Sequence, residues 1–240
     1  MNVVEKSLKF AILAHKNQVR KAEIEKPYIV HPIDVANILK EYKCSDNLIS
    51  AGLLHDILED TQYDFEFLKN EFGEEIANLV NAATEQNKDA TWEERKQATI
   101  DKIKNLSLEE KIILCADKIS NLEDMYILFN IKGKKDFSSF KRSEKKQKWY
   151  YDNLYNSFVF NSNHAIFDRL KKLINKVFNE DFNPNKNYYL KQDVIKLSKY
   201  FNEEVEFDEK IKIYKQNELI CIYKDLDSAK KYYIEKYKNI

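Results

Sequence analysis

Glycine and proline are scarce in this chain, with three of each among 240 residues. Because both residue types interrupt regular secondary structure, their scarcity leaves long segments free to form continuous elements. Over about the first 180 residues, apolar side chains recur at intervals of three and four, which places them on one face of an α-helix. The sequence therefore predicts an all-α body built from a series of amphipathic helices.

Nine helices are predicted in this body, separated by polar or proline-containing segments. They cover residues 4–17, 33–42, 46–60, 64–72, 74–84, 91–103, 108–125, 143–158 and 165–178. Pro32 suits the first turn of the second helix, because the N–H that proline lacks would have no partner there. His31 is therefore predicted at the corner between a polar loop and a helix.

The sequence pattern changes after Pro184. Residues 189–201 have a helical pattern, whereas residues 210–214 and 219–223 alternate on either side of Gln216 and Asn217, as the strands of a β-hairpin do. Residues 225–237 again have a helical pattern. We therefore predict two parts, a helical domain of residues 1–180 and a small α/β appendage of residues 181–240.

The charge and hydropathy of the chain argue against some classes of binding partner. The 40 Lys and Arg residues balance the 40 Asp and Glu residues, so no net field attracts nucleic acid or an anionic membrane. No apolar run approaches the roughly 20 residues of a membrane helix, and the first residues lack a signal-peptide pattern. Three widely spaced cysteines fit reduced thiols. We therefore expect a cytoplasmic protein that binds neither nucleic acid nor membrane.

The spacing of the glycines restricts how phosphate could be recognised. Gly52, Gly73 and Gly133 are too far apart to build a phosphate-binding loop or a dinucleotide fingerprint, both of which need clustered glycines. Any phosphate binding is therefore expected to use side chains and metal.

Four potential metal ligands occur along the helical body: His31, the adjacent pair His55 and Asp56, and Asp117. Two imidazoles and two carboxylates can hold one divalent ion while leaving positions for water and a substrate oxygen. Asp117 lies in a strongly apolar segment, where a carboxylate needs a partner or a metal. The sequence therefore predicts a divalent metal site formed by these four residues.

Further polar residues recur at helical spacing near these ligands. Glu59 follows His55 by four residues and Asp60 follows Asp56 by four, so these side chains share one helix face. An exposed helix end is the simpler explanation, but carboxylates there oppose the helix dipole at roughly a few tenths of a kcal/mol each. A nearby metal ion would offset that cost. Asn121, four residues after Asp117, could donate to a ligand.

Six motifs occur together in the order and at the spacing of a known family. They are at residues 18–21 (QVRK), 27–32 (PYIVHP), 55–61 (HDILEDT), 72–73 (FG), 94–96 (ERK) and 116–122 (ADKISNL). With them the chain resembles the HD-domain hydrolases of the RelA/SpoT alarmone enzymes, especially the small hydrolase-only members. The resemblance is dense from residue 16 to residue 124 and does not cover the tail. It implies an HD-domain helical bundle.

The resemblance also implies a metal and a reaction. The metal would be manganese, held by His31, His55, Asp56 and Asp117. The substrate would be guanosine tetra- or pentaphosphate, and hydrolysis of its 3′-diphosphate would release pyrophosphate and leave GDP or GTP.

Five further residues acquire roles from the resemblance. Glu59 and Asp60 would position or deprotonate the attacking water. Arg20 and Lys21 match the family's Arg-Lys pair, and a guanidinium can both stack on a base and bind phosphate. Asn121 matches the position that contacts the ribose or phosphate region.

Two alternatives stay open at this point. The family usually has a glycine just before the Pro-Tyr pair, where this chain has residues 22–26 (AEIEK), so another nucleotide such as NADPH or an adenosine alarmone is the nearest rival substrate. The other alternative is a catalytically silent sensing or interaction module, which the presence of all four ligands with Glu59 and Asp60 argues against. The tail is expected either to pack on the helical body or to mediate self-association into a homo-oligomer.

Overall fold

The structure is a computed structural model that describes residues 2–20, 26–85, 89–138, 140, 142–180, 191, 192, 194–198, 201, 203–208 and 210–238. These residues form two compact units. The first comprises Met1–His15, His31–Glu123 and Phe137–Asp181, and the second comprises Lys16–Val30, Asp124–Asp136 and Phe182–Ile240, as far as each is described. The predicted helical fold with a small strand-containing part is confirmed. The predicted domain boundary between residues 180 and 181 stays a prediction.

Helices account for most of the first unit. They are α1 (Val3–Ala14), α2 (Val30–Glu41), α3 (Asp46–Leu54), α4 (Ile57–Asp60), α5 (Phe65–Phe72), α6 (Glu74–Ala83), α7 (Trp92–Lys104), α8 (Leu108–Lys132), α9 (Glu144–Val159) and α10 (Ala165–Ile174), and a π-helical turn follows at Asn175–Asn179. Within the described ranges, no helix combines the length and hydrophobicity that a membrane span needs.

Local side-chain chemistry determines where several helices begin. Thr91 and Glu94 form a reciprocal capping box at the start of α7. Ser45 and Asp64 each accept a hydrogen bond from an N–H in the first turn, of α3 and of α5 respectively. Gly73 joins α5 to α6 with a φ of 91°, which side chains with a Cβ rarely adopt. These residues fix the helix boundaries that the sequence pattern leaves open.

The core of the first unit brings α2 and α3 unusually close together. Gly52 of α3 faces α2, and a Cβ atom on Gly52 would lie 2.5 Å from Cδ1 of Leu39 and 3.3 Å from Cγ1 of Val35. Leu39 of α2 and Leu54 of α3 are both fully buried in the core. Burial of each such side chain contributes about 1.5–3 kcal/mol. The close approach positions the start of α2 and the end of α3, which carry His31 and His55.

The second unit contains the strands. β1 (Val19–Arg20) pairs with β2 (Lys26–Pro27), and β3 (Glu204–Phe207), β4 (Ile211–Lys215) and β5 (Glu218–Tyr223) form an antiparallel sheet in the order β3-β4-β5. α11 (Leu226–Lys238) packs against β5 and β2. Gln216 and Asn217 both have positive φ in the turn between β4 and β5, so the predicted hairpin is confirmed.

The observed elements differ from the predicted ones in several places. The helix predicted over residues 46–60 is interrupted between α3 and α4, where His55 and Asp56 turn their side chains to one point. α8 continues beyond the predicted end to Lys132, because neither glycine nor proline occurs before Gly133. β3 was not predicted. A helix was also predicted over residues 189–201. Residues 191, 192 and 194–198 of this segment are helical, and residue 201 lies in a turn. The remaining residues of the segment lie outside the described part of the chain.

Candidate metal centre

Two helices and one turn of the first unit carry the four predicted metal ligands. His31 lies in the first turn of α2, His55 and Asp56 lie between α3 and α4, and Asp117 lies within α8. His31 and His55 each expose 4% of their surface and Asp117 exposes 8%, whereas Asp56 is half-buried. Residues separated by more than 80 positions in the sequence are thus brought to one buried location.

The side-chain donor atoms of these residues converge. Nε2 of His31 lies 3.2 Å from Nε2 of His55 and 3.1 Å from Oδ1 of Asp117. Oδ2 of Asp56 lies 3.1 Å from Nε2 of His55 and 3.7 Å from Nε2 of His31. Ligands about 2.1 Å from one ion and roughly at right angles are about 3 Å apart. The donor atoms of His31, His55 and Asp117 therefore have the spacing of ligands around a single divalent cation, and Asp56 lies beside the two histidines.

Hydrogen bonds behind the two imidazoles orient them toward this point. Nδ1 of His55 lies 2.8 Å from the carbonyl oxygen of Gly52, and a carbonyl can only accept, so Nδ1 carries the hydrogen. Nδ1 of His31 lies 3.0 Å from Oγ of Ser120. When both Nδ1 atoms donate, both Nε2 atoms present lone pairs to the same place. Two facing lone pairs at 3.2 Å repel each other unless a cation or a proton lies between them.

Asp117 is held from two sides. Nζ of Lys118 lies 2.6 Å from Oδ2 of Asp117, and the amide of Asn121 donates to Oδ1. Burial opposes ionisation, but Lys118 and the neighbouring histidines outweigh it and hold the pKa of Asp117 well below its usual range. Asp117 is therefore ionised and immobilised next to His31.

The carboxylates give this location a strong preference for positive charge. Burial disfavours the His55 imidazolium, but the charge and hydrogen bond of Asp56, with the charge of Asp117, raise the pKa of His55 to about 9. A divalent cation held by these residues would satisfy the same carboxylates and would take the place of the proton on His55. The chemistry of the residues present therefore fits a bound divalent metal.

Three other predicted site residues lie in the same unit. Glu59 is half-buried on α4, and its carboxylate accepts a hydrogen bond from the N–H of Glu85. Burial raises the pKa of Glu59 above its usual value. Asp60 is exposed at the end of α4, and its N–H donates to the carbonyl oxygen of Asp56 at 2.9 Å. Asn121 contacts Asp117, as described above.

The predicted Arg-Lys pair is described only in part. Arg20 lies at the end of β1 in the second unit, where Nη1 is 3.1 Å from a carboxylate oxygen of Asp124. Lys21 lies outside the described residues, as do residues 22–25 of the segment that departs from the family pattern.

Sequence reasoning assigned no role to the groups behind the ligands. Ser120 follows Asp117 by three residues on α8, so helical spacing could have identified it as a neighbour of the site. Gly52 contributes a main-chain carbonyl, which no residue type reveals. Glu85 contributes a main-chain N–H to Glu59 and was likewise not identified.

Comparison with known proteins identifies the family. A family model described as an HD domain matches residues 7–135, a segment that contains all four predicted metal ligands. The chain is 36% identical over 122 residues to the guanosine-3′,5′-bis(diphosphate) 3′-pyrophosphohydrolase MESH1 of Drosophila melanogaster. That match covers 50% of this chain and 68% of the Drosophila protein.

Two solved structures share the fold over nearly their whole length. The Listeria monocytogenes EGD-e protein lmo0812 has a TM-score of 0.59 at 37% identity, covering 62% of this chain and 99% of that one. A metazoan ortholog of SpoT, described as hydrolysing ppGpp, has a TM-score of 0.63 at 26% identity, covering 73% of this chain and 96% of that one. The chain therefore belongs to the HD-domain family, in the group of the RelA/SpoT-type hydrolases.

Proposed function

We propose that the protein hydrolyses guanosine 3′,5′-bis(diphosphate) and its 5′-triphosphate counterpart at the 3′-diphosphate, releasing pyrophosphate and leaving GDP or GTP. The observation that carries this proposal is the convergence of two histidines and two aspartates on one buried point of the first unit. The similarity to proteins named for this reaction supports the choice of substrate.

The cofactor we propose is one manganese ion, held by His31, His55, Asp56 and Asp117. Imidazole nitrogens and carboxylate oxygens together form a donor set that first-row divalent metals accept. A divalent cation held there supplies a Lewis acid that stabilises negative charge on the phosphoryl oxygens. Manganese, rather than another divalent ion, follows from the family resemblance.

Glu59 and Asp60 are proposed to position or deprotonate the attacking water. The water oxygen bonds to the phosphorus attached to the ribose 3′ oxygen, the bond between that phosphorus and the ribose oxygen breaks, and the ribose oxygen gains a proton. Glu59 is held by the N–H of Glu85, and burial makes its carboxylate a stronger base. Asp60 is exposed, which suits proton exchange with solvent.

Nucleotide binding is proposed to involve Arg20, Lys21 and Asn121. The contact of Asn121 with Asp117 supports a position beside the reacting diphosphate. The roles of Arg20 and Lys21 follow from the matching Arg-Lys pair of the family. A cytoplasmic location, the absence of nucleic-acid and membrane partners, and self-association through the tail stay predictions.

The test measures pyrophosphate release from guanosine 3′,5′-bis(diphosphate) by the full chain after chelation and reloading with manganese, magnesium or zinc. Asp56→Asn removes one ligand charge with little change in shape, and we expect it to abolish release and weaken metal binding. Asp101→Asn is the matched control, because Asp101 is an exposed residue of α7 paired with Lys104.

Release of pyrophosphate by wild-type protein and by Asp101→Asn, but not by Asp56→Asn, is the expected result. If the wild-type protein binds manganese and leaves this substrate intact, the proposed substrate is wrong. NADPH and adenosine alarmones are then the substrates to assay.

A further inference from the structure

The hydroxyl group of Tyr150 is buried without a hydrogen-bond partner among the described residues. Tyr150 lies on α9, exposes 5% of its surface, and its Oη atom contacts neither a donor nor an acceptor at hydrogen-bond distance. Buried polar groups in native proteins almost always have partners, so an exception calls for an explanation. A ligand that accepts this hydrogen bond supplies one.

A lysine lies against the Tyr150 ring. Nζ of Lys96, on α7, lies 5.2 Å from the centre of the Tyr150 ring. The same Nζ lies 2.8 Å from one carboxylate oxygen of Glu85, whose other oxygen is 3.0 Å from Arg95. Two cations therefore share a single carboxylate beside Tyr150.

The candidate metal centre adjoins this group of residues. The backbone N–H of Glu85 donates to Glu59, and Lys118 contacts Asp117. Burial raises the pKa of Tyr150 to about 12, with the field of Lys118 opposing and those of Asp117 and Glu85 adding to the increase. The hydroxyl is thus protonated at neutral pH and lies within reach of charges at the metal centre.

This group places several hydrogen-bond donors close together: the Tyr150 hydroxyl and the ammonium groups of Lys96 and Lys118. Lys96 pairs with Glu85 and Lys118 pairs with Asp117. Because an ammonium group has three hydrogens, each lysine can also donate to a ligand. Phosphoryl oxygens, which accept several charge-assisted hydrogen bonds at once, match such a set of donors.

We propose that the Tyr150 hydroxyl, Lys96 and Lys118 form a binding position for a phosphoryl group of the leaving diphosphate, beside the metal centre. This inference rests on the proposed function, because it assigns the diphosphate of that reaction to these residues. Tyr150 donates its hydroxyl hydrogen to a phosphoryl oxygen, and the two lysines neutralise the charge of the leaving group. Tyr150 is therefore a substrate-binding residue that determines affinity for diphosphate.

The test compares wild-type protein with Tyr150→Phe by calorimetric titration of inorganic pyrophosphate into the full chain carrying one equivalent of manganese. Loss of one hydrogen bond to a charged group should raise the dissociation constant by about tenfold to about a hundredfold. Lys96→Met should also raise the dissociation constant of pyrophosphate. Tyr155→Phe, at a half-buried position further along α9, is the matched control and should bind as wild type does.

Thermal unfolding without pyrophosphate separates a binding role from a structural one. Tyr150→Phe should unfold at the wild-type temperature or above it, because the hydroxyl has no partner to lose within the described protein. Equal pyrophosphate affinity for wild type and Tyr150→Phe overturns the inference, as does absence of pyrophosphate binding by wild type or a lowered unfolding temperature of Tyr150→Phe. Hydrolysis of guanosine 3′,5′-bis(diphosphate) by wild type, measured separately, decides the proposed function.

Discussion

The two histidines of the candidate metal centre are oriented by different kinds of partner. The Nδ1 atom of His55 donates to a main-chain carbonyl within α3, whereas Nδ1 of His31 contacts the Ser120 hydroxyl on α8. The main-chain partner cannot be removed by substituting a side chain. The hydroxyl can, so Ser120 offers a direct measurement of how far a supporting hydrogen bond strengthens metal binding.

We predict that Ser120→Ala weakens manganese binding by about tenfold to about a hundredfold, the effect typical of removing a partner behind a ligand histidine. In this variant the His31 ring loses the hydrogen bond that fixes its tautomer and orientation. Metal binding must then order the ring, which makes the binding free energy less favourable. Ser157→Ala is the matched control, because Ser157 is also buried on a helix but its hydroxyl contacts no described partner.

Equilibrium titration of manganese into both variants measures the effect, and circular dichroism checks that the helices are retained. Equal affinity for Ser120→Ala and Ser157→Ala would show that Ser120 contributes nothing to the metal site.

At the scale of elements, the contact between α2 and α3 at Gly52 places the two histidines near each other. A Cβ at this position would lie within 2.5 Å of the Leu39 side chain, so a larger residue forces the helices apart or displaces Leu39. Gly52 also provides the carbonyl that orients His55. The packing of two helices and the geometry of one ligand therefore depend on the same residue.

We predict that Gly52→Ala lowers the free energy of unfolding by about 1–3 kcal/mol through overpacking, and weakens manganese binding as well. Leu39→Val removes the atom that Cβ would meet, so Gly52→Ala should cost less stability in that background than in wild type. Urea denaturation of the wild type, both single variants and the double variant measures this coupling. Additive losses would mean that the contact with Leu39 is not the cause.

The sequence predicts these elements more reliably than it predicts how they end. Apolar periodicity identifies α2, α3 and α8, and the chemistry of two histidines and two aspartates identifies candidate ligands before any fold is known. The interruption at His55 and Asp56 is not predicted, because the whole segment of residues 46–60 keeps a helical pattern and the break depends on tertiary contacts. The short strand β3 is also missed, since its pairing with β4 joins residues whose local pattern is weak.

Metal binding should stabilise the folded state as a whole, because the four predicted ligands come from α2, the turn before α4, and α8. A ligand that binds only the folded state stabilises it by about 2.7 kcal/mol at a concentration of 100 times its dissociation constant. Manganese should therefore raise the unfolding temperature of the wild type. The size of this increase should depend on pH, because the cation and a proton compete for His55.

The sign of the pH dependence follows from the raised pKa of His55. In the metal-free protein this pKa is about 9, above the ordinary value of about 6.5 for an unfolded chain. Protonation of His55 therefore stabilises metal-free protein fully below about pH 6.5, and this contribution is lost as the pH rises through about 9. Manganese binding requires the unprotonated imidazole and becomes tighter over the same interval.

We predict that the difference in unfolding temperature between manganese-loaded and metal-free protein widens from about pH 6.5 to about pH 9. Scanning calorimetry under nitrogen, at fixed manganese concentration, measures this difference. Asp101→Asn should reproduce the widening and Asp56→Asn should lack it, whereas a constant difference in the wild type would mean that no proton leaves His55 when the metal binds.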